Sequence, residues 1–299
     1  MFGTRSLGLA LLLANAPTLA AADTLADRIA ALTRDFKGTV SLYARNLDTG
    51  QDFGVGADSK VRTASTIKLP ILCALESLVS AGTISWDLPI TVHKADQVAG
   101  GGILGELSDT LPLRDVATLM IIVSDNTATN LILDRISADA VNDYLDTIGL
   151  ATTRSMRKVR GASSTLQAEE GWSRAGRLPE NQRYGIGVST PRDMVRLLDL
   201  LEQGRIVSPA ASTDVIGILK RQQDKTGIGR HAGADVEVAS KPGSLDALRS
   251  DVGIAYTKGG RIAMAITVED MPSIDYSPDN PGEALISEIA KALMAGLAR

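Results

Sequence analysis

Thr63-Ala64-Ser65-Thr66-Ile67-Lys68-Leu69-Pro70 runs without a break into the apolar segment Ile71-Leu72-Cys73-Ala74-Leu75. Together these residues predict the first turns of a buried helix, with a serine at its mouth and a lysine one turn on. Residues three apart share a helical face, so the Ser65 hydroxyl and the Lys68 amine are placed to touch. A helix N-terminus carries unpaired N–H groups and a positive dipole, both useful where an oxyanion forms. An apolar setting strips water from the lysine and favours its neutral, basic form. The stretch therefore suits an activated serine nucleophile, with a plain helix cap as the competing reading of Ser65. The same S-x-x-K spacing recurs at Ser155 and Lys158, in a polar, Arg-rich segment with no buried helix behind it.

Upstream, residues 23–36 have helical periodicity through Leu25, Ile29, Leu32 and Phe36, and 38–44 alternate like a half-buried strand. Asp48-Thr49-Gly50 then turns the chain into a returning strand at 52–55. Downstream, 65–201 reads as mostly helical. Apolar helices at 113–123 and 127–136 flank the polar break Ser124-Asp125-Asn126, and Pro191 opens a helix that reaches 201. Residues 154–190 form an irregular segment rich in Gly, Ser, Arg and Glu. Strands return at 236–240, 249–256 and 261–268, the last two joined by Lys258-Gly259-Gly260, before an amphipathic helix at 281–297. Strands at both ends with helices between predict an α/β (α+β) fold: one antiparallel sheet assembled from both termini, flanked by helices, with an inserted all-helical lobe. Within a single catalytic domain of residues 23–299, the sheet lobe is expected at 23–60 and 205–299 and the helical lobe at 61–204. The cleft between them is the natural site.

The 299-residue chain is 44% apolar, 22% charged and only 3% aromatic, so its core must be built mainly from Leu, Ile, Val and Ala. Its net charge is −4 and no Lys/Arg stripe stands out, which argues against a nucleic-acid partner. Arg5, the apolar core at 7–13 and Ala20-Ala21-Ala22 read as a signal peptide over residues 1–22. A bacterial periplasmic or secreted protein is expected, monomeric and without stable membrane insertion, since the apolar run is too short to span a bilayer. The single cysteine, Cys73, excludes an intrachain disulfide and reads as a small buried hydrophobe. His93 and His231 lack ligand-like spacing to acids or to the cysteine, so no metal is expected. Gly100-Gly101-Gly102-Ile103-Leu104-Gly105 satisfies G-x-G-x-x-G, but without the preceding strand and following helix of a dinucleotide site; it reads as a loop, and no cofactor is expected. The absence of a G-x-S-x-G elbow disfavours a Ser-His-Asp hydrolase.

Lys241-Pro242-Gly243-Ser244 comes at the end of a predicted strand, where a lysine can point across the cleft and the glycine lets a backbone approach closely. With S-x-x-K, S-D-N and K-x-G in this order on suitable elements, the chain resembles a class A serine β-lactamase or a close penicillin-binding relative, over nearly all of its mature length. The resemblance implies that Ser65 attacks the β-lactam amide and that Lys68 takes part in removing its proton. It implies Ser124 as the proton relay to the departing nitrogen, with Lys241 beside it. The amides of Ser65 and Ser244 would form the oxyanion hole, next to Gly243. Asn126 would bind the substrate's side-chain amide, and Arg249 its carboxylate. Loop capping is the alternative for Ser124 and Asn126, and a surface charge the alternative for Arg249.

Two departures stand out. Pro242 replaces the family's usual Thr and brings neither hydroxyl nor N–H. Val159 falls where the family's Ω-loop R-x-E places the glutamate that holds the deacylating water. The loop then runs long through Glu169, Glu170 and Glu180; Glu169 and Glu170 are the candidate replacement bases, with solvated loop charges as the other reading. The expected function is β-lactam opening through an acyl-Ser65 intermediate with slow deacylation. A penicillin-binding-type peptidase or esterase acting on a peptidoglycan-like acyl substrate, and a non-catalytic β-lactam sensor, are the alternatives.

Overall fold

The computed structural model describes residues 23–159 and 171–298. Helix α1 (Leu25–Thr33) begins at Thr24, whose hydroxyl accepts from the Asp27 amide while the Asp27 carboxylate accepts from the Thr24 amide. Strands β1 (Thr39–Asn46) and β2 (Asp52–Val55) form the expected hairpin, its turn closed by Asn46 Oδ1 accepting from the amides of Asp48 (3.0 Å) and Thr49 (3.2 Å). After the short β3 (Val61–Arg62) the chain takes a 3-10 turn at Ala64–Ile67 and enters α2 (Lys68–Ser80), with residues 68–76 all buried. A ribbon of β4 (Pro89–Thr91) and β5 (Thr110–Pro112) frames the loop bearing the three successive glycines. Helices α3 (Leu113–Ile122), α4 (Asn126–Ile136) and α5 (Ala138–Thr147) follow. The segment expected to be irregular supplies, among its described residues, β6 (Arg154–Ser155), α6 (Arg174–Arg177), a 3-10 helix at Pro179–Tyr184 and β7 (Gly187–Ser189). Thr190 caps α7 (Pro191–Glu202) and Ser208 caps α8 (Pro209–Lys220), each with a proline in the first turn, where a missing N–H breaks no helical bond. Strands β8 (Glu237–Leu245), β9 (Leu248–Thr257) and β10 (Gly260–Glu269) lead to α9 (Pro281–Leu297).

The main sheet runs β2-β1-β10-β9-β8, with every neighbouring pair antiparallel. β1 and β10 join the two ends of the sequence, Leu42 lying opposite Ile266 and Ala44 opposite Met264. Alternating side chains give the sheet two faces. Leu42, Ala44, Ile262, Met264 and Ile266 share one core with α1 and α9. Tyr43, Ala239, Ile254, Ala263 and Ala265 belong to the larger core built around α2. Helix α7, within the stretch expected to be the helical lobe, packs directly on β10 and β1, and α8, within the stretch assigned to the sheet lobe, packs on β8. Apolar residues at three- and four-residue spacing put Met194, Val195, Leu198 and Leu201 on the buried side of α7.

Two differences from the sequence expectation bear on the site. Strand β8 runs on through Lys241-Pro242-Gly243-Ser244 to Leu245 instead of ending before them. It is an edge strand, where a proline without an N–H is tolerated. Helix α8 leaves little periodic signal because it opens on small residues, Pro209-Ala210-Ala211-Ser212-Thr213. Among the described residues no helix is long and apolar enough to cross a membrane.

Candidate active site

Ser65 lies in the 3-10 turn at the head of α2, half-buried, next to Ala64 in the left-handed region at φ 47°. β8 crosses this turn so closely that a Cβ on Gly243 would lie 2.8 Å from the Ser65 amide nitrogen and 2.9 Å from the Thr63 carbonyl oxygen. Only glycine lets the two backbones meet there. Ser65 and Ser244, the residue after Gly243, both line the cleft.

Lys68 is fully buried, but it does not bond Ser65. Its Nζ donates to the Ser124 carbonyl (2.7 Å), Ser124 Oγ (3.2 Å) and Asn126 Oδ1 (2.9 Å). The reason is competition: the Ser124–Asn126 corner brings a carbonyl, a hydroxyl and an amide oxygen to the Lys68 amine, and these hold it instead. Lys241, also fully buried, donates to Ser124 Oγ (3.0 Å) and to the Pro242 carbonyl (2.6 Å). Two amines thus converge on one hydroxyl. Burial first, and then the charge of Lys241, hold the Lys68 amine well below the ordinary lysine range, against the opposing pull of Asp125. Burial likewise lowers Lys241 to about 7, with Asp251 and Asp224 opposing.

The Ser124–Asn126 corner is stitched together by backbone groups. Ser124 sits in the left-handed region at φ 53°, unusual for a residue with a side chain. Asp125, fully buried, caps α4 by accepting from the Ala128 amide (2.8 Å) and also accepts from the amides of Ile103 (2.7 Å) and Leu104 (2.8 Å). Asn126 donates from its amide to the Gly101 carbonyl. Gly102, at φ 88°, passes so near that a Cβ would fall 2.1 Å from Asp125 Oδ2. The glycine run, a loop as expected, is the clamp that holds this corner.

A cavity of about 1160 Å³ opens over these groups, lined by Ser65, Ser124, Asn126, Val159, Gly243 and Ser244 among others. Arg249 is placed otherwise than expected. It is buried, and its guanidinium donates to the carbonyls of Leu245 and Leu248 (2.6 Å each) and of Asp275, lies 4.8 Å from the Tyr276 ring centroid, and faces Glu283 at 3.8 Å. As the partner of a strand-end turn it fastens the wall and does not line the cavity. The lining at this end includes Asp246 and Tyr276, and beyond them Gln222, Gln223 and Asp224 after α8. Asp246 and Tyr276 escape motif reading; the one available signal for Asp246 is its place in the turn after Ser244.

On another wall Val159 lines the cavity, while its backbone amide and carbonyl pair with Asn130 Oδ1 (2.8 Å) and Nδ2 (3.0 Å). Glu169 and Glu170 lie outside the described residues, and Glu180 is exposed on the 3-10 helix away from the cavity lining. The second S-x-x-K splits between two environments: Ser155 is buried in β6, and Lys158 pairs with Asp134. Cys73 is fully buried, which pushes its thiol up. His231 faces Glu288 at 3.0 Å, and no cluster of three metal-binding side chains exists among the described residues.

A sequence profile described as the beta-lactamase enzyme family matches residues 24–297. The chain belongs to the β-lactamase enzyme family. This β-lactamase-family chain is similar in structure to a beta-lactamase from Sphaerobacter thermophilus, with a TM-score of 0.78 at 31% identity over 91% of this chain and 96% of the other. It is also similar to PBP-A, with a TM-score of 0.76 at 26% identity over 91% and 94% of the two chains. A mutant of PBP-A is an acyl-enzyme complex with penicillin G, and this chain matches it with a TM-score of 0.74 at 27% identity over 91% and 94% of the two chains. Among curated proteins, it is 24% identical to the beta-lactamase regulatory protein BlaB of Streptomyces cacaoi, over 85% of this chain and 91% of that one.

Proposed function

We propose that this protein is an exported serine hydrolase in which Ser65 is acylated by a β-lactam or a peptidoglycan-like acyl substrate, and that the acyl group leaves slowly. The observation that carries the reading is the meeting of the Lys68 and Lys241 amines on Ser124 Oγ, in the cavity that Ser65 lines.

With Lys68 neutral, its two N–H groups serve the Ser124 carbonyl and Asn126 Oδ1. Its lone pair then takes the Ser65 proton, directly or through a water, as Ser65 Oγ bonds to the substrate carbonyl carbon. The resulting oxyanion is met by the Ser65 and Ser244 amides. Lys68 returns a proton to Ser124 Oγ while the Ser124 hydroxyl proton passes to the departing nitrogen, so the C–N bond breaks with the amine neutral. Lys241, donating to the same Oγ, stabilises the hydroxyl oxygen as its proton moves. Hydrolysis of the ester then needs a second base. Val159 offers none on its wall, and loss of a positioned base costs about 10²–10⁴ in rate.

Intact-mass spectrometry through a time course with benzylpenicillin tests this. A one-to-one adduct that forms quickly, decays slowly and is absent in Ser65→Ala supports the reading; labelling that survives Ser65→Ala shows another nucleophile. A non-catalytic β-lactam sensor is the second reading, favoured by the similarity to BlaB, a protein named as regulatory. Reversible penicillin binding without any adduct would select it.

A further inference from the structure

The order of groups along β8 separates the two halves of a substrate. Lys241 reaches Ser124 Oγ at 3.0 Å, and two residues on Gly243 presses against Ser65. Under the mechanism proposed above, the nitrogen that takes the Ser124 proton therefore departs towards the Lys241 side. The cleft does not end there, because its lining continues past Ser124 through Ile122, Val123, Gln223 and Asp224. The Gln223 amide donates to the Ile122 carbonyl (2.9 Å), which fixes that stretch against the end of α3. Once the departing half has diffused away, this space is open to a second molecule.

Proton-handling groups are unequally distributed around the acyl ester. On the side just vacated, Ser124 Oγ keeps Lys68 Nζ at 3.2 Å and Lys241 Nζ at 3.0 Å. On its own wall Val159 gives a water no base. We propose that this protein is also an acyltransferase, passing the acyl group from Ser65 to a primary amine that bears a carboxylate in preference to water. The acceptor class follows from the departing half, in which an amine and a carboxylate lie close together, and the path is acylation run backwards by microscopic reversibility. The neutral amine bonds to the ester carbon as its N–H proton passes to Ser124 Oγ and the Ser124 hydroxyl proton passes to Lys68. Lys68 then gives that proton to Ser65 Oγ as the C–O bond breaks, leaving an amide and a free serine. A penicillin blocks this route, since its ring-opened amine stays tethered to the acyl group and occupies the space. The inference rests on the acyl-Ser65 reading, and its test separates the two.

A linear N-acylglycyl thioester, whose thiol departs, is offered with increasing glycine, and amide and acid are quantified by mass spectrometry with the enzyme-free background subtracted. Glycine is expected to raise total turnover about tenfold, to saturate, and to yield mainly amide, because the amine meets a positioned base and water does not. N,N-dimethylglycine carries the same charges but cannot form the amide, and should do neither. Glycine should leave the lifetime of the penicillin adduct unchanged. Val159→Glu should speed acid formation and lower the amide fraction. Acid as the only product overturns the transfer alone, as does a penicillin adduct that glycine shortens as strongly as it speeds the thioester. An amide fraction unmoved while Val159→Glu forms acid faster puts both nucleophiles on the Val159 wall and overturns the route. The glycine series uses the unaltered protein, so the result does not depend on how that variant folds. No thioester turnover and no penicillin adduct overturn the transfer together with the acyl-Ser65 reading.

Discussion

Ser124 shows how much of this site's chemistry rests on one side chain. Its hydroxyl is the meeting point of two buried amines, and its backbone is held at φ 53° by the neighbouring Asp125 and Asn126 contacts. Replacing it would leave both amines short of a partner in a dry setting, where an unmet polar group is costly. Val159 is the complementary case, a residue whose consequence lies in what it lacks. It lines the cleft and its backbone is pinned by Asn130, so a longer side chain there starts from a fixed position. Val159→Glu should place a carboxylate within reach of a water beside the acyl-enzyme and shorten the lifetime of the penicillin adduct by about 10²-fold. Decay of the adduct in intact-mass spectra measures this; an unchanged lifetime would show that water is not activated from that wall.

At the scale of elements, the corner between α3 and α4 depends on a single carboxylate. Asp125 caps α4 and holds the amides of Ile103 and Leu104, so one side chain ties a helix start to the glycine loop. Asp125→Ala strands three amides, at about 1–3 kcal/mol for each that finds no water. The expected result is a loss of about 2–5 kcal/mol in urea unfolding together with a large fall in Ser65 acylation, because Asn126 and Ser124 move when their anchor goes. Retained acylation at lowered stability would separate the cap from the site. The strand β8 carries the opposite economy of means, an edge strand that tolerates Pro242 and uses Gly243 to press against Ser65.

For the molecule as a whole, several buried carboxyls contribute to how stability follows pH. Glu76 is in the core on α2; burial, with Asp214 nearby, lifts its carboxyl to about 7, and its Oε2 has no hydrogen-bond partner. Burial raises Glu283 to about 7 and Asp251 to about 6 as well. The folded state thus holds these protons more tightly than the unfolded chain, so the stability these three carboxyls contribute is complete below about pH 4 and falls away as pH rises towards ~7, while the lowered lysines Lys68 and Lys241 act in the opposite direction. Glu76→Gln should remove about 1–3 kcal/mol of that fall. Unfolding free energies from pH 5 to 8 check it, and a variant as pH-dependent as the parent would exclude Glu76 as a source.

How far the sequence reaches can be read from the same residues. The helix behind Ser65, the hairpin at Asp48-Thr49-Gly50 and the helix from Pro191 were legible because periodicity and turn chemistry are local. The order of S-x-x-K, S-D-N and K-x-G, with strands at both ends, was enough to determine the family and the shape of the sheet. The sequence could not reveal that Lys68 bonds Ser124 instead of Ser65, that Arg249 turns inward, or that Asp224, Asp246 and Tyr276 line one cleft. Those outcomes depend on which groups lose water together and which carbonyls a cation can reach once distant segments pack, and only the tertiary structure sets those distances.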